Sequence, residues 1–175
     1  ERVSKTLELV AQILDLEGPP KRIEAYDMSN TAGSDMVGSM TVFVNGNPLK
    51  RDYRTFKIKA EDCRDDYGAM TEVLTRRFKR LLSGDEGFDK RPDLLLMDGG
   101  QAQASAATRV LNELGLDIPV FGMVKDDRHR TRALMTAEGN EIGISGNQAV
   151  FSFFGRIQEE THRAAIAFHR SLREK

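Results

Sequence analysis

The spacing of apolar positions changes several times along the chain, and each change marks an element. Residues 4–16 carry apolar side chains at helical spacing and run into Gly18-Pro19-Pro20, a strong stop, which predicts a leading helix. Residues 22–28 read as a first strand, 36–45 as a second and 51–58 as a third. The turn signal Asn45-Gly46-Asn47-Pro48 makes these three an antiparallel meander. From Asp65 to Leu82 the period becomes helical. Met70, Val73, Leu74, Phe78, Leu81 and Leu82 form one stripe, with Asp65 and Asp66 at the N-terminal end, where carboxylates are favoured. Leu94 to Met97 is continuously apolar, as expected of a strand covered on both faces. A helix over Gln101–Leu114 stops at Gly115, and a fifth strand follows at 119–124. Residues 132–144 predict a small hairpin with Glu138-Gly139-Asn140 at its tip, and the last helix is expected from about Ser152 to Arg173.

A meander joined to right-handed strand–helix–strand crossovers gives an α/β domain with a mixed five-stranded sheet flanked by helices. That is the element order of the RNase H-like fold. In such a sheet the first and fourth strands are parallel neighbours. Residues 1–20 read as a leading helix or linker from an upstream region, and 21–175 as the domain.

Composition narrows the class. The 175 residues carry a formal charge of −1 and contain one cysteine, Cys63, which has no partner for an internal disulfide. No stretch approaches the roughly 18 apolar residues of a membrane span, and no signal peptide opens the chain. The expectation is a cytoplasmic domain cut from a longer protein. Basic residues gather at Arg76, Arg77, Lys79 and Arg80, at Arg128, His129, Arg130 and Arg132, and at Arg163, Arg170, Arg173 and Lys175. Such groups suit phosphates, and they suit a solvated face equally well.

Two carboxylates carry the candidate chemistry. Asp27 closes Arg-Ile-Glu-Ala-Tyr-Asp (22–27), and Asp98 closes Leu-Leu-Leu-Met-Asp (94–98). At the ends of adjacent parallel strands they can share a hard cation such as Mg²⁺ or Mn²⁺, which needs few protein oxygens. Each is also readable as a turn cap, Asp27 before Ser29, Asn30 and Thr31, and Asp98 before Gly99-Gly100. His162 lies beside the apolar stripe Phe154, Ile157, Thr161, Ala164, Ala165 and Phe168, where it can reach the sheet rim or simply face solvent. Glu159, Glu160 and Arg163 surround it. Lys125 follows the fifth strand and opens toward the same rim.

Five ordered segments point further. They are Ile-Glu-Ala-Tyr-Asp-Met-Ser (23–29), Tyr-Arg-Thr-Phe-Lys-Ile-Lys (53–59), Asp-Asp-Tyr-Gly-Ala-Met-Thr-Glu-Val-Leu-Thr-Arg-Arg (65–77), Pro-Asp-Leu-Leu-Leu-Met-Asp-Gly-Gly (92–100) and Thr-His-Arg-Ala-Ala-Ile-Ala-Phe-His-Arg (161–170). In these the chain resembles the catalytic C-terminal region of the UvrC (excinuclease ABC) family, collinearly from Arg22 to Arg173. The resemblance implies a metal-dependent endonuclease that incises DNA 5′ to a lesion in bacterial nucleotide excision repair. It implies a triad of Asp27, Asp98 and His162, with Mg²⁺ or Mn²⁺ as cofactor. Asp65 and Asp66, with Glu159 and Glu160, are expected to support that triad, and Lys125, Arg163 and Arg170 to contact DNA. The implied partners are damaged double-stranded DNA and UvrB, the latter mainly through regions outside this chain.

The chain departs from the family pattern at three places. Asn30 stands where His is usual, Gln101-Ala102-Gln103 replaces Lys-Gly-Gln, and Gln158-Glu159-Glu160 replaces Arg-Asp-Glu. The lost Lys and Arg imply weaker phosphate contacts, while every triad member is kept. The rival expectation is a non-catalytic domain of the same fold that binds DNA or a repair partner.

Overall fold

The structure is a computed structural model and describes residues 2–30, 35–59 and 65–173. Thr31 and Cys63 lie outside the described residues. Helix α1 (Arg2–Ile13) leads into strands β1 (Arg22–Asn30), β2 (Met36–Val44), β3 (Asn47–Pro48) and β4 (Arg54–Ile58). Helix α2 (Asp66–Leu82), strand β5 (Leu94–Asp98), helix α3 (Gln101–Glu113) and strand β6 (Val120–Lys125) follow. Strands β7 (Thr131–Met135) and β8 (Glu141–Gly143) and helix α4 (Gln148–Arg173) complete it.

The five expected strands are present as β1, β2, β4, β5 and β6 and form one mixed sheet. β1 pairs antiparallel with β2 and parallel with β5, β5 pairs parallel with β6, and β4 lies antiparallel on the far side of β2. The sheet is wider than five strands. The hairpin β7–β8 adds to it antiparallel to β6, and short β3 pairs the end of β2, giving eight strands among the described residues. Adding the hairpin covers a β6 edge that would otherwise present open N–H and C=O groups.

Several boundaries differ from the sequence reading: the leading helix runs Arg2–Ile13 instead of 4–16, and the third strand starts at Arg54 instead of 51 because Lys50–Asp52 form a 3-10 turn. β1 continues three residues past Asp27, because β2 pairs it as far as Asn30 opposite Met36. Asp27 is therefore no turn cap; it stands just beyond Tyr26, the last β1 residue paired with β5. α4 begins at Gln148, four residues earlier than Ser152, with the Asn147 side chain accepting from the Val150 amide at 3.1 Å.

Alternation along the strands sorts the core into two layers. Tyr26, Met40, Leu95 and Met97 pack against α2 and α3. Ile23, Ala25, Phe43, Leu94, Leu96 and Met123 pack against α1 and α4, where Leu7, Val10 and Leu14 meet Phe153, Phe154 and Ile157. At the C-terminal ends of β5 and β6 the backbone is close packed. A Cβ on Gly122 would stand 2.5 Å from the carbonyl oxygen of Gly99. Gly122→Ala is expected to cost about 1–3 kcal/mol by urea denaturation and to displace the turn that follows Asp98.

The basic group at residues 76–80 does not face a partner as one cluster. Arg77 is 0 % exposed and grips Glu24, itself 0 % exposed, by Nη2 to Oε2 at 2.8 Å and Nε to Oε1 at 3.2 Å. Arg76 pairs with Glu72 and Arg80 with Asp85. A buried guanidinium needs a buried carboxylate, and β1 supplies it, so Arg77 belongs to the core and not to a phosphate-binding surface.

Candidate active site

β1, β5 and β6 end at the same pole. Asp27 follows the core-facing Ile23 and Ala25 by the period of two, and Asp98 likewise follows Leu94 and Leu96. Lys125 follows Phe121 and Met123 in the same way. All three side chains therefore project on the face covered by α4. In register, Tyr26 lies beside Met97 and Asp98 beside Met123, which sets the two aspartates next to each other on adjacent strands.

The electrostatics report that proximity. Burial, then the charge of Asp98 and a hydrogen bond with it, lift Asp27 from its ordinary 3.8 to about 7, with a smaller push from Asp66. Lys125 opposes the shift. Its Nζ forms an ion pair with Asp98 Oδ1. Two half-buried carboxylates repelling each other across neighbouring strands, with one oxygen already drawn to a cation, form a hard-oxygen donor set. That donor set fits Mg²⁺ or Mn²⁺.

The remaining expected residues are placed as follows. Asp65 caps α2, its Oδ1 accepting from the Gly68 amide at 2.8 Å, and Asp66 opens the helix. Glu160 accepts from Tyr53 Oη at 2.9 Å and from Arg163 Nε at 2.9 Å. Both bonds hold the Glu160 carboxylate below its usual range, the Arg163 bond most strongly. Glu159, His162, Arg163 and Arg170 line a shallow depression of about 480 Å³ along α4. Thr161, one residue before His162, is buried against Thr41 of β2 at 2.8 Å, while His162 itself is exposed.

The structure thus brings Asp27, Asp98 and Lys125 together on one face, with Asp66 close enough to add to the field at Asp27. It does not gather His162 into that contact: among the described residues no three His, Cys, Asp or Glu side chains converge on a metal-holding point.

Two of the departures noted in the sequence have structural work. Gln158 Oε1 accepts from Thr131 Oγ1 at 2.6 Å and Gln158 Nε2 donates to the carbonyl of His129, tying the loop after β6 to α4. Gln101 Nε2 reaches the Ala137 carbonyl at 3.3 Å in the β7–β8 hairpin. In the basic loop, Arg130 is paired with Asp126 and Arg132 with Glu141. The residue that sequence reading missed is Ser39, which lies directly opposite Asp27 in register; no local motif marks it.

A model of the UvrC RNase H endonuclease domain matches residues 11–166. The chain belongs to this family. UvrABC system protein C of Finegoldia magna is 52 % identical over 171 residues, covering 93 % of this chain, and that of Clostridium acetobutylicum is 49 % identical over 178 residues, covering 95 %. The chain spans only 28 % of the length of either relative.

Solved structures agree on the fold. The catalytic domain of human Endonuclease V has a TM-score of 0.51 at 16 % identity, over 89 % of this chain and 83 % of that one. Endonuclease V from Streptomyces avermitilis has a TM-score of 0.51 at 13 % identity, over 98 % and 92 %. A UvrC-family domain on an RNase H-like nuclease fold is a nuclease domain. Among the described residues, no helix is long and apolar enough to cross a membrane.

Proposed function

We propose that this UvrC-family domain hydrolyses one phosphodiester bond of duplex DNA with Mg²⁺ or Mn²⁺, and that within the whole protein the cut falls 5′ to a lesion in nucleotide excision repair. The observation that carries the reading is the pairing of Asp27 with Asp98 at the ends of adjacent parallel strands, on one face and in mutual repulsion. Asp27 and Asp98 would hold the cation. When bound, it supplies charge stabilisation to the phosphate oxygens and acidity to water.

The chain's own residues do the rest. Lys125 is drawn to Asp98 in this structure, and its ammonium would offer a charge to the substrate phosphate at the same strand ends. In the reaction an oxygen–phosphorus bond forms from water and the phosphorus–O3′ bond breaks. The proton lost by water is balanced by one delivered to O3′, leaving a 3′-hydroxyl and a 5′-phosphate. His162, on α4, would carry that proton or complete the cation's shell, since its ring nitrogens can donate or accept. Arg163 and Arg170, on the same helix, would meet the DNA backbone. Damaged duplex DNA is the substrate and UvrB a partner of the whole protein, in the cytoplasm.

Cleavage assayed in a reconstituted incision reaction tests this. Asp98→Asn is expected to lose the 5′ cut while keeping the wild-type fold by circular dichroism; normal cutting by that variant overturns the reading. The non-catalytic alternative is favoured by one observation, that His162 stands outside the contact of the two aspartates. Calorimetry separates the two readings. At about 100 times its Kd, Mn²⁺ is expected to stabilise the wild-type chain by about 2.7 kcal/mol. It should leave Asp98→Asn unmoved. No Mn²⁺ effect on the wild type would favour the binding-module reading.

A further inference from the structure

α4 crosses the sheet over the face that carries Asp27. Beneath it lies a cavity of about 270 Å³, with Ser39, Tyr53 and Thr55 on the sheet side and Arg163, Ala164 and Ala167 on the helix side. The helix leaves this space open because two of its three lining residues end at Cβ.

Ser39 is the telling residue. It is 2 % exposed, and its Oγ has no hydrogen-bond partner. Buried hydroxyls are almost always paired, since an unpaired one forfeits its water without return. Thr41, two residues along the same strand and on the same face, finds its partner in Thr161 at 2.8 Å. Ser39 differs only in lying under the cavity. It is a buried, unpartnered polar group in the wall of a space that α4 does not fill.

Position gives the space its relation to the cut. Ser39 is the cross-strand partner of Asp27 on one side and of Thr55 on the other. Asp98, Asp27, Ser39 and Thr55 therefore form one polar row across four neighbouring strands, each step about 4.8 Å. The cavity stands one to two strand spacings from Asp27, within reach of the phosphate next to one held at the aspartates.

Chemistry then selects the ligand. Among mostly apolar lining, the polar side chains on the α4 face are the hydroxyls of Ser39, Tyr53 and Thr55 and the Arg163 guanidinium. The neighbouring carboxylate, Glu160, is already taken up by Tyr53 Oη and by Arg163 through Nε at 2.9 Å and Nη2 at 2.5 Å. Those two bonds also fix the guanidinium at the rim. Lys57, two residues beyond Thr55 on the same face of β4, adds a cation. A set of donors with flanking cations suits a multi-oxygen anion.

We propose that this cavity is a phosphate subsite, holding the DNA backbone phosphate adjacent to the cleaved bond, with Ser39 as its buried donor and Arg163 at its rim. The proposal rests on the nuclease reading above and extends it to substrate positioning. Ser39 and Arg163 are positioning residues here, acting on a phosphate that is not itself cut.

The test uses the same incision reaction, with duplexes carrying a single uncharged methylphosphonate at each phosphate flanking the cut in turn. Wild-type protein is expected to lose about tenfold in rate at one flanking position, the worth of a hydrogen bond to a charged group. Ser39→Ala should lose about tenfold on unmodified DNA and nothing more when that same phosphate is neutralised. Arg163→Gln should behave likewise. Ser39→Ala gives up only an unpaired hydroxyl, so its Tm should be no lower than the wild type's, separating lost positioning from lost folding. Equal methylphosphonate penalties in wild type and Ser39→Ala at every position overturn the subsite while leaving the nuclease reading intact. Failure of the wild type to cut unmodified DNA sinks the nuclease reading instead. The cavity is then judged by amide chemical shifts on titrating a 5′-phosphorylated trinucleotide: shifts at Ser39, Thr55 and Ala164 support it, and their absence overturns it.

Discussion

In metal-free buffer at pH 8, Asp27→Asn is expected to be more stable than the wild type, and with Mg²⁺ or Mn²⁺ added it is expected to cut DNA at least about a hundredfold more slowly. The sign follows from the proton. Asp27 in the folded chain holds its proton up to about pH 7, against 3.8 ordinarily. Well below pH 3.8 both states are protonated and the residue is neutral with respect to folding. As pH rises from about 4 to about 7, the unfolded chain releases the proton and the folded chain retains it, so stability falls by up to ~1.4 kcal/mol per unit. Above about 7 the folded carboxylate ionises beside Asp98 and the penalty levels off. Asparagine keeps the shape and carries no charge. Its advantage should be near zero at pH 4 and reach about 2–4 kcal/mol at pH 8, the upper value being the whole interval of about three units. Urea titrations of both proteins across pH 4–8 check it. A flat difference across that range would mean that Asp27 does not feel Asp98.

The same substitution removes a residue assigned to the cation. Loss of groups one step further from a metal already costs about 10–100-fold, so loss of a direct ligand should cost at least the upper end. A stabilised and inactive variant is the combination expected where charge repulsion is kept for function. Mn²⁺ should reverse the ranking. The wild-type chain gains stability from the ion, and Asp27→Asn gains little.

Much of this site could be read before any coordinates. Leu94 to Met97 is apolar on both faces, which demanded a central parallel strand, and the meander before it fixed which strand would lie alongside. From those two inferences Asp27 and Asp98 become neighbours. What pattern could not supply was register. Five residues, 31–35, separate β1 from β2, more than the two whose turn would set the pairing, so nothing local says that Ser39 falls opposite Asp27. The unpaired Ser39 hydroxyl and the cavity above it depend on that register and on how closely α4 descends. Periodicity likewise placed His162 beside the apolar stripe correctly, but stripe edges do not report distance to a site.

Arg77 shows a different kind of blindness. In the sequence it is one of four basic residues within five positions, which looks like a surface patch. In the structure it is the largest of the fully buried side chains. The signal was present in β1, where Glu24 alternates onto the same layer as Tyr26 in an otherwise apolar run. A buried carboxylate requires a buried cation, but only tertiary packing tells which of several arginines answers it.

Arg77→Met is therefore expected to destabilise the domain by about 3–5 kcal/mol, the usual consequence of stranding one member of a buried ion pair. Glu24 would keep the Tyr26 hydroxyl at 2.6 Å and an ion pair with Arg22 Nε at 3.1 Å, which soften the loss, although Arg22 is shared with Asp52 at 2.7 Å. Arg77 also donates to the carbonyls of Phe88 at 2.7 Å and Lys90 at 2.8 Å, so the segment leading into β5 should loosen as well. Replacing both partners, as Glu24→Leu with Arg77→Met, should recover most of the stability, because an apolar pair leaves no stranded charge. Urea denaturation of the two single variants and the double variant completes the cycle. A loss below about 1 kcal/mol in Arg77→Met would show that the pair is not buried as described. Glu24 stands three residues before Asp27 on β1, so the pair anchors the strand that carries the first carboxylate. At temperatures where the double variant is folded, its DNA cleavage should match the wild type, since neither residue touches the reacting groups; a large loss there would mean that the pair also aims Asp27.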